Sequence, residues 1–220
     1  MPQKLYTDSK IELTPTIARH YDRIMNSISF GKYSQFIHRA VRDMNIRHGD
    51  QILDMGCGTG KNAALVAERM GANGSITGVD LSPEMEKQFL ERHGSDQRIS
   101  FSKQRIDIPF DLGKKFDKVL ISFVIHGFPH EVREQILENA YQHLKPGGKL
   151  MILDFAEINM EEMPWHHRFI FKTVECVYAF DYIDRDWKSI LKEHGFTDFG
   201  ENFYFRNYAR LLTAFKKKES

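Results

Sequence analysis

The residues with the clearest chemical potential lie between Leu53 and Gly60, in the string LDMGCGTG. Glycine has no Cβ, so the alternating Gly56, Gly58 and Gly60 permit tight turns and let a ligand approach the backbone. Their spacing is G-x-G-x-G. A dinucleotide-binding turn places its third glycine one residue later, and a phosphate-cradling Walker loop needs Lys followed by Ser or Thr. Here Gly60 is followed by Lys61 and Asn62, so neither phosphate-binding pattern fits. Two carboxylates stand in register with the loop: Asp54 precedes Gly56 by two residues, and Asp80 follows it by 24. An acidic side chain at the second position accepts hydrogen bonds from ribose hydroxyls. The plain alternative is a glycine turn capped by an aspartate.

The elements that must position these groups follow from periodicity. From Asp50 onward, short apolar runs alternate with amphipathic stretches. Strands are expected at Gln51–Met55, Ser75–Val79, Ile99–Lys103, Lys118–Phe123 and Lys149–Phe155, and helices at Lys61–Met70, Pro83–Arg92 and Pro129–His143. Ser82 reads as the N-cap of the second helix, with Pro83 at its first position. This alternation is that of a doubly wound α/β fold with a mostly parallel sheet. Residues 16–30 and 33–46 show helical spacing, the latter through Phe36, Ile37, Ala40, Val41 and Met44. Beyond the sheet, an aromatic-rich stretch over 156–185 contains an expected helix at Pro164–Phe180. Another follows at Trp187–His194, closed by Gly195. Strands near Asp198–Phe205 and Ala209–Phe215, with a turn at Arg206–Asn207, should form an antiparallel hairpin. The whole reads as one domain: a helical cap (1–48), a ligand-binding core (49–155), a substrate-cap insertion and helix (156–194) and a terminal hairpin (195–220).

Composition narrows the function class. Lys and Arg number 31 against 30 Asp and Glu, so the basic excess of a nucleic-acid-binding surface is missing and no such partner is expected. Cys57 and Cys176 form no Cys-x-x-Cys pair, which argues against zinc and redox motifs and suggests free thiols in a reducing, cytoplasmic setting. No metal site is expected: His166 and His167 are adjacent and point apart on a helix. No apolar run suits a secretory signal or a transmembrane helix, which leaves peripheral membrane contact open. Monomer and homodimer fit equally.

Four strings in order resemble class I S-adenosylmethionine-dependent methyltransferases. LDMGCGTG is similar to their first motif, GVDLSPEM (Gly78–Met85) to the second-strand motif, FDKVLISFVIH (Phe116–His126) to the fourth-strand motif, and LKPGGKLMILDF (Leu144–Phe155) to the turn and fifth strand. The resemblance implies a Rossmann-like, seven-stranded sheet ending in the hairpin, and S-adenosyl-L-methionine as cofactor. It places Gly56, Cys57, Gly58 and Gly60 beneath the methionine moiety, with Asp54 helping to hold the amino group. Asp80 takes the ribose hydroxyls, Leu81 and Met85 flank the adenine, and Ser122 and Phe123 form the floor. Many relatives carry an acidic residue after the third strand that contacts the adenine amine. Alignment on Ile108-Pro109-Phe110 puts Gln104, followed by Arg105 and Ile106, at that place, with Asp107 as the alternative. YDRIMNSISFG (Tyr21–Gly31) is similar to the entry segment of the ubiquinone/menaquinone C-methyltransferases. ISFVIHGF is similar to their Ile-Ser-Phe-Gly-x-Arg-Asn string, with Val124, His126 and Gly127 in place of Gly, Arg and Asn.

The expected acceptor is a small apolar or aromatic molecule: quinone-like, phenolic, thiol or lipid. Trp165, Phe169, Phe171, Tyr178, Phe180, Tyr182 and Trp187 either line its pocket or pack the cap onto the sheet. Transfer to carbon or oxygen needs a proton removed, and a base titrating near neutrality suits. His126, after the fourth strand, is the candidate, and Tyr21 is a second catalytic candidate that could close over the cofactor; His130 is weaker. Methylation of RNA or protein, and cofactor binding without catalysis, are the competing functions.

Overall fold

The computed structural model describes Tyr6, Ser9 and residues 32–218. The expected helix over 16–30, and Tyr21 with it, lies outside the described residues. The elements are α1 (Lys32–Asp43), β1 (Gln51–Met55), α2 (Lys61–Met70), β2 (Ser75–Asp80), α3 (Pro83–His93), β3 (Ile99–Lys103) and β4 (Phe116–Ser122). There follow a 3₁₀ turn (Ile125–Gly127), α4 (His130–His143), β5 (Leu144–Phe155), α5 (Trp165–Val174), α6 (Val177–Ile183), α7 (Trp187–Glu193), β6 (Phe196–Tyr204) and β7 (Ala209–Lys216).

The strands form one seven-stranded sheet in the order β3-β2-β1-β4-β5-β7-β6. β1 to β5 pair in parallel, and β7 runs antiparallel between β5 and β6. Chain order reverses between β1 and β4, which opens a crevice at their carboxyl ends. The central strands are apolar on both faces, as strands covered by helices on either side must be. Leu53, Met55, Val119, Ile121, Leu150 and Ile152 pack against α4, α6 and α7, through Leu137, Tyr182 and Trp187 among others. Their alternates Ile52, Leu120, Met151 and Leu153 pack against α1 and α2 and against Phe89 of α3. All five residues assigned to the apolar face of the 33–46 segment are buried, although the helix itself ends at Asp43. The Ser82 hydroxyl accepts the Met85 amide, as its N-cap reading requires.

The cap departs from its expected form. Pro164–Phe180 contains no glycine or proline after its first residue, so its periodicity reads as one helix. The structure divides it into α5 and α6, because Glu175 and Cys176 are extended, with ψ of 158° and 166°. The reason is tertiary. Arg133 of α4, a fully buried side chain, draws in the Tyr178 carbonyl and bonds the Asp181 carboxylate at 2.6 Å. Those contacts require α6 to leave the direction of α5. The aromatics also separate: Tyr182 and Trp187 are core, Trp165 and Phe169 are exposed, and Phe171 and Phe180 are half-buried.

A second buried arginine secures the hairpin. Arg210 of β7 bonds Glu157 at 2.9 Å and Glu201 at 2.7 Å, and Glu157 also accepts the Trp187 backbone amide. The Trp187 indole N–H donates to the Tyr182 carbonyl at 2.8 Å, which satisfies the polar edge of a fully buried ring. The two tryptophans of the chain therefore differ sharply in expected effect. Trp187→Ala should destabilise by about 3–5 kcal/mol through the cavity it leaves. Trp165→Ala, at 75% exposure, should change stability by less than about 0.5 kcal/mol. Urea unfolding followed by circular dichroism checks both.

Candidate active site

The loop from Gly56 to Gly60 turns the chain from β1 into α2. Gly56, Gly58 and Gly60 all occupy the left-handed region, with φ of 77°, 53° and 75°. A Cβ on Gly56 would lie 2.6 Å from Val124, and one on Gly60 would lie 2.7 Å from His93 and Phe89. These two glycines are needed for packing as well as for φ. Beside Gly58, the nearest atom to an added Cβ is the Met85 sulfur at 3.9 Å, so this stretch of backbone keeps an open face. Cys57 packs its sulfur against Gly78, as a small buried filler.

Asp80 ties the loop to the end of β2. Its Oδ2 accepts the Gly58 amide at 3.0 Å, and its Oδ1 accepts the Ser82 amide at 2.9 Å. Each oxygen keeps a further lone pair, so the carboxylate still has capacity for two hydroxyl donors. Burial pushes its pKa above the usual carboxylate range, against the pull of those amides. Asp54, one strand over, is buried, and neither of its oxygens has a hydrogen-bond partner among the described residues. Burial, and then the nearby charge of Asp80, push its pKa up to about 7. A buried carboxyl group with no donor is costly to retain. The arrangement suits a ligand that brings a cationic donor to Asp54 and vicinal hydroxyls to Asp80. An α-amino acid joined to a nucleoside has both.

The remaining sequence-derived residues surround this pair. The Ser122 hydroxyl accepts from the Asn62 side chain at 3.1 Å. Phe123 is left-handed at φ 51°, an uncommon state for a bulky residue, and it packs between Phe36 and Phe155. Met85 is buried under the loop and Leu81 is 44% exposed. On the β3 side, the Gln104 side chain is exposed, while Ile106 is buried. Arg105 forms a bidentate pair with Asp107 at 2.6 and 3.1 Å, and Tyr6 donates its hydroxyl to the same carboxylate at 2.7 Å. Burial raises the Asp107 pKa, but these hydrogen bonds outweigh it and hold the group low. Asp107 is thus already engaged, whereas Gln104 is open to a ligand.

On the other side of the crevice, the 3₁₀ turn carries His126. Its Nδ1 lies 2.7 Å from Oδ1 of Asp154, the last residue but one of β5, and its Nε2 lies 3.8 Å from Glu175. Phe155 stands edge-on to the imidazole at 4.9 Å, and Phe171 and Phe180 extend that aromatic wall. Burial lowers the His126 pKa, but Asp154 and Glu175 together overcome this and leave it raised above 6.5. His130 faces Glu134 on α4 at 3.7 Å, and His167 bonds the Tyr208 hydroxyl at 2.9 Å.

Three residues of this region were not among the sequence candidates. Asp154 had a readable signal: like Asp54 and Asp80, it closes an apolar strand (LDM, VDL, LDF). Arg133 lies three, four and seven residues before Ile136, Leu137 and Ala140, on the buried face of its helix, where a cation needs a reason. Glu175 had no signal, because its position depends on the break between α5 and α6.

A model of the ubiE/COQ5 methyltransferase family matches residues 6–180 of this chain. The demethylmenaquinone methyltransferase of Staphylococcus aureus (strain JH9) is 28% identical over 164 residues, covering 74% of this chain and 67% of that protein. Among solved structures, a SAM-dependent methyltransferase from Aquifex aeolicus matches with a TM-score of 0.66 at 17% identity, over 93% of this chain and 99% of its own. The N-methyltransferase NodS from Bradyrhizobium japonicum WM9, in complex with S-adenosyl-L-homocysteine, matches with a TM-score of 0.58 at 17% identity, over 86% and 88%. The structural likenesses establish the fold.

The Asp54 environment makes a prediction about the ligand-free protein. Its folded pKa is about 7 against 3.8 for an unperturbed carboxyl. The folded state therefore binds more protons in that window, and stability should fall as pH rises from 3.8 to about 7. Asp54→Asn removes this slope. It should match wild type near pH 4 and melt roughly 5–10 °C higher near pH 8. Melting curves at both pH values decide: a variant no more stable than wild type at pH 8 contradicts the unpartnered carboxyl.

Proposed function

Because this chain belongs to the ubiE/COQ5 methyltransferase family, we propose that it transfers a methyl group from S-adenosylmethionine to a small aromatic acceptor of the quinol or phenol class. The observation that carries the reading is the pair of carboxylates at the crevice, buried Asp54 without a donor among the described residues and half-buried Asp80 with spare acceptor capacity, beside the open backbone of Gly58.

In this reading Asp54 holds the ammonium of the amino-acid moiety, and Asp80 accepts the ribose hydroxyls. Leu81, Met85 and the side chain of Gln104 would border the base, and Ser122 and Phe123 would form the floor. When bound, the cofactor would supply an electrophilic methyl carried on a sulfonium sulfur. Much of the remaining task is alignment, which the rigid strand ends provide. Phe123, Phe155, Phe171 and Phe180 form the apolar wall against which an aromatic acceptor stacks. His126 removes the acceptor hydroxyl proton, so that the ring presents a phenolate-like nucleophile. The aromatic wall favours a ring-bearing acceptor. The S. aureus relative's name, demethylmenaquinone methyltransferase, supports a quinol within that class.

Calorimetry with S-adenosylhomocysteine tests the cofactor half. Wild type should bind, while Asp80→Ala should bind about 100-fold more weakly and Gly58→Val not measurably. A folded wild type that binds neither S-adenosylmethionine nor its demethylated product sinks the reading. Turnover of 1,4-naphthoquinol and catechol tests the acceptor half. His126→Ala should lower kcat by about 100- to 1000-fold with little change in KM. Because His126 must be neutral to act, wild-type kcat/KM should rise with pH through a midpoint above 6.5, the direction in which its neighbours move it. That rise should be missing from the variant.

A further inference from the structure

His126 is held by its surroundings at three points. Asp154, whose side chain is fully buried, accepts the ring Nδ1–H at 2.7 Å. Its Oδ2 also accepts the His126 backbone amide at 3.4 Å, and its Oδ1 the Phe155 amide at 2.8 Å. An acidic acceptor on Nδ1 puts the neutral ring's proton there and leaves the lone pair on Nε2. The backbone of the turn is fixed separately: Arg133 donates to the carbonyls of Ile125 and His126, both at 3.2 Å. The same guanidinium holds Tyr178 and Asp181 of α6. Arg133 thereby sets where the α5–α6 break lies relative to the imidazole, and the residue at that break is Glu175. Its Oε2 lies 3.8 Å from Nε2, and its side chain is 19% exposed, enough to meet water. Among the described residues, the charged and titratable groups facing the ring are Asp154 from β5, Glu175 from the break, Arg133 from α4 and Tyr182 from α6, at 6.4 Å between ring centroids.

We propose that Asp154, His126 and Glu175 form a proton path, with Asp154 as the positioning residue that fixes the tautomer and Glu175 as the group that receives the acceptor's proton from Nε2. The proposal rests on the assignment of His126 as base. In the first step the acceptor O–H bond breaks, its electron pair stays on oxygen, and the proton bonds to Nε2. The imidazolium so formed keeps its Nδ1–H on Asp154. In the second step the Nε2 proton passes to Glu175 Oε2, which becomes a carboxylic acid and exchanges with water. His126 returns to its neutral state, and no electrons change hands. Burial alone disfavours the imidazolium, and the two carboxylates make it accessible.

The test is a pH titration of histidine-labelled, ligand-free protein by 15N and 13C NMR, which reports the charge and tautomer of His126 without an acceptor. Wild type should show the Nδ1–H tautomer when neutral. Asp154→Asn should lower the midpoint by about one pH unit and mix the tautomers. Glu175→Gln should lower the midpoint and leave the tautomer unchanged. In turnover of 1,4-naphthoquinol, kcat should fall about 100-fold for Asp154→Asn and about tenfold for Glu175→Gln, with S-adenosylhomocysteine affinity within about threefold of wild type. Unmoved titration and tautomer in the two variants overturn the proposal. If Asp154→Asn does not fold, Glu175→Gln decides alone, and an unmoved His126 midpoint is again fatal. A wild type that fails to bind S-adenosylhomocysteine would count against the methyltransfer reading instead, since the NMR signals do not depend on it.

Discussion

Three carboxylates stand at the carboxyl ends of the central strands, Asp54 and Asp154 buried and Asp80 half-buried. Everything at the crevice follows from how each is compensated. Asp80 takes two backbone amides and so draws the glycine loop onto β2. Asp154 takes an imidazole and so fixes the turn after β4. Asp54 has no donor among the described residues and is left in a state that favours protonation near neutrality. Desolvation is unfavourable to all three, but only Asp54 lacks a compensating donor among the described residues. A site of this kind is assembled by the sheet before it is completed by what it binds.

The core was readable in the sequence because local and tertiary preferences agree there. The strands from Gln51, Ser75 and Ile99, the helices from Lys61 and Pro83, and the hairpin turn at Arg206–Asn207 all lie where spacing and caps put them. The glycine loop and its two acidic neighbours were legible for the same reason: a turn with three left-handed residues leaves a mark in residue type. The cap was not legible as it stands. Nothing in the Val174–Val177 segment opposes a continuous helix, and the break comes from Arg133, 42 residues earlier. The aromatic-rich stretch also divided in a way composition does not reveal. Tyr182 serves the core and stands beside the histidine, Trp165 and Phe169 face outward, and Phe171 and Phe180 continue the wall begun by Phe155.

The substitution of His126 for the Arg in the similar string of the quinone C-methyltransferases changes what the position can do. An arginine stays charged throughout the accessible pH range, and it binds an oxyanion without exchanging its proton. A histidine flanked by two carboxylates cycles between charge states. The buried cation in this region is instead Arg133, and its donors are directed to backbone carbonyls and to Asp181. Permanent charge and titratable charge are thus carried by separate side chains, one bonded to the backbone of the turn and one beside the ring of Phe155.

The position of β7 has a consequence for assembly during synthesis. It is among the last segments of the described chain to be made, yet it lies inside the sheet, between β5 and β6. Until residues 209–216 leave the ribosome, the open edge of β5 keeps unpaired backbone groups along an apolar strand, and β6 has no partner to join. Such an edge is a ready template for pairing with another chain. The nascent protein therefore passes through an interval in which its core is largely made and its most aggregation-prone border is uncovered. The final hairpin, remote from the crevice in sequence, ends that interval by inserting one strand and bringing its neighbour with it.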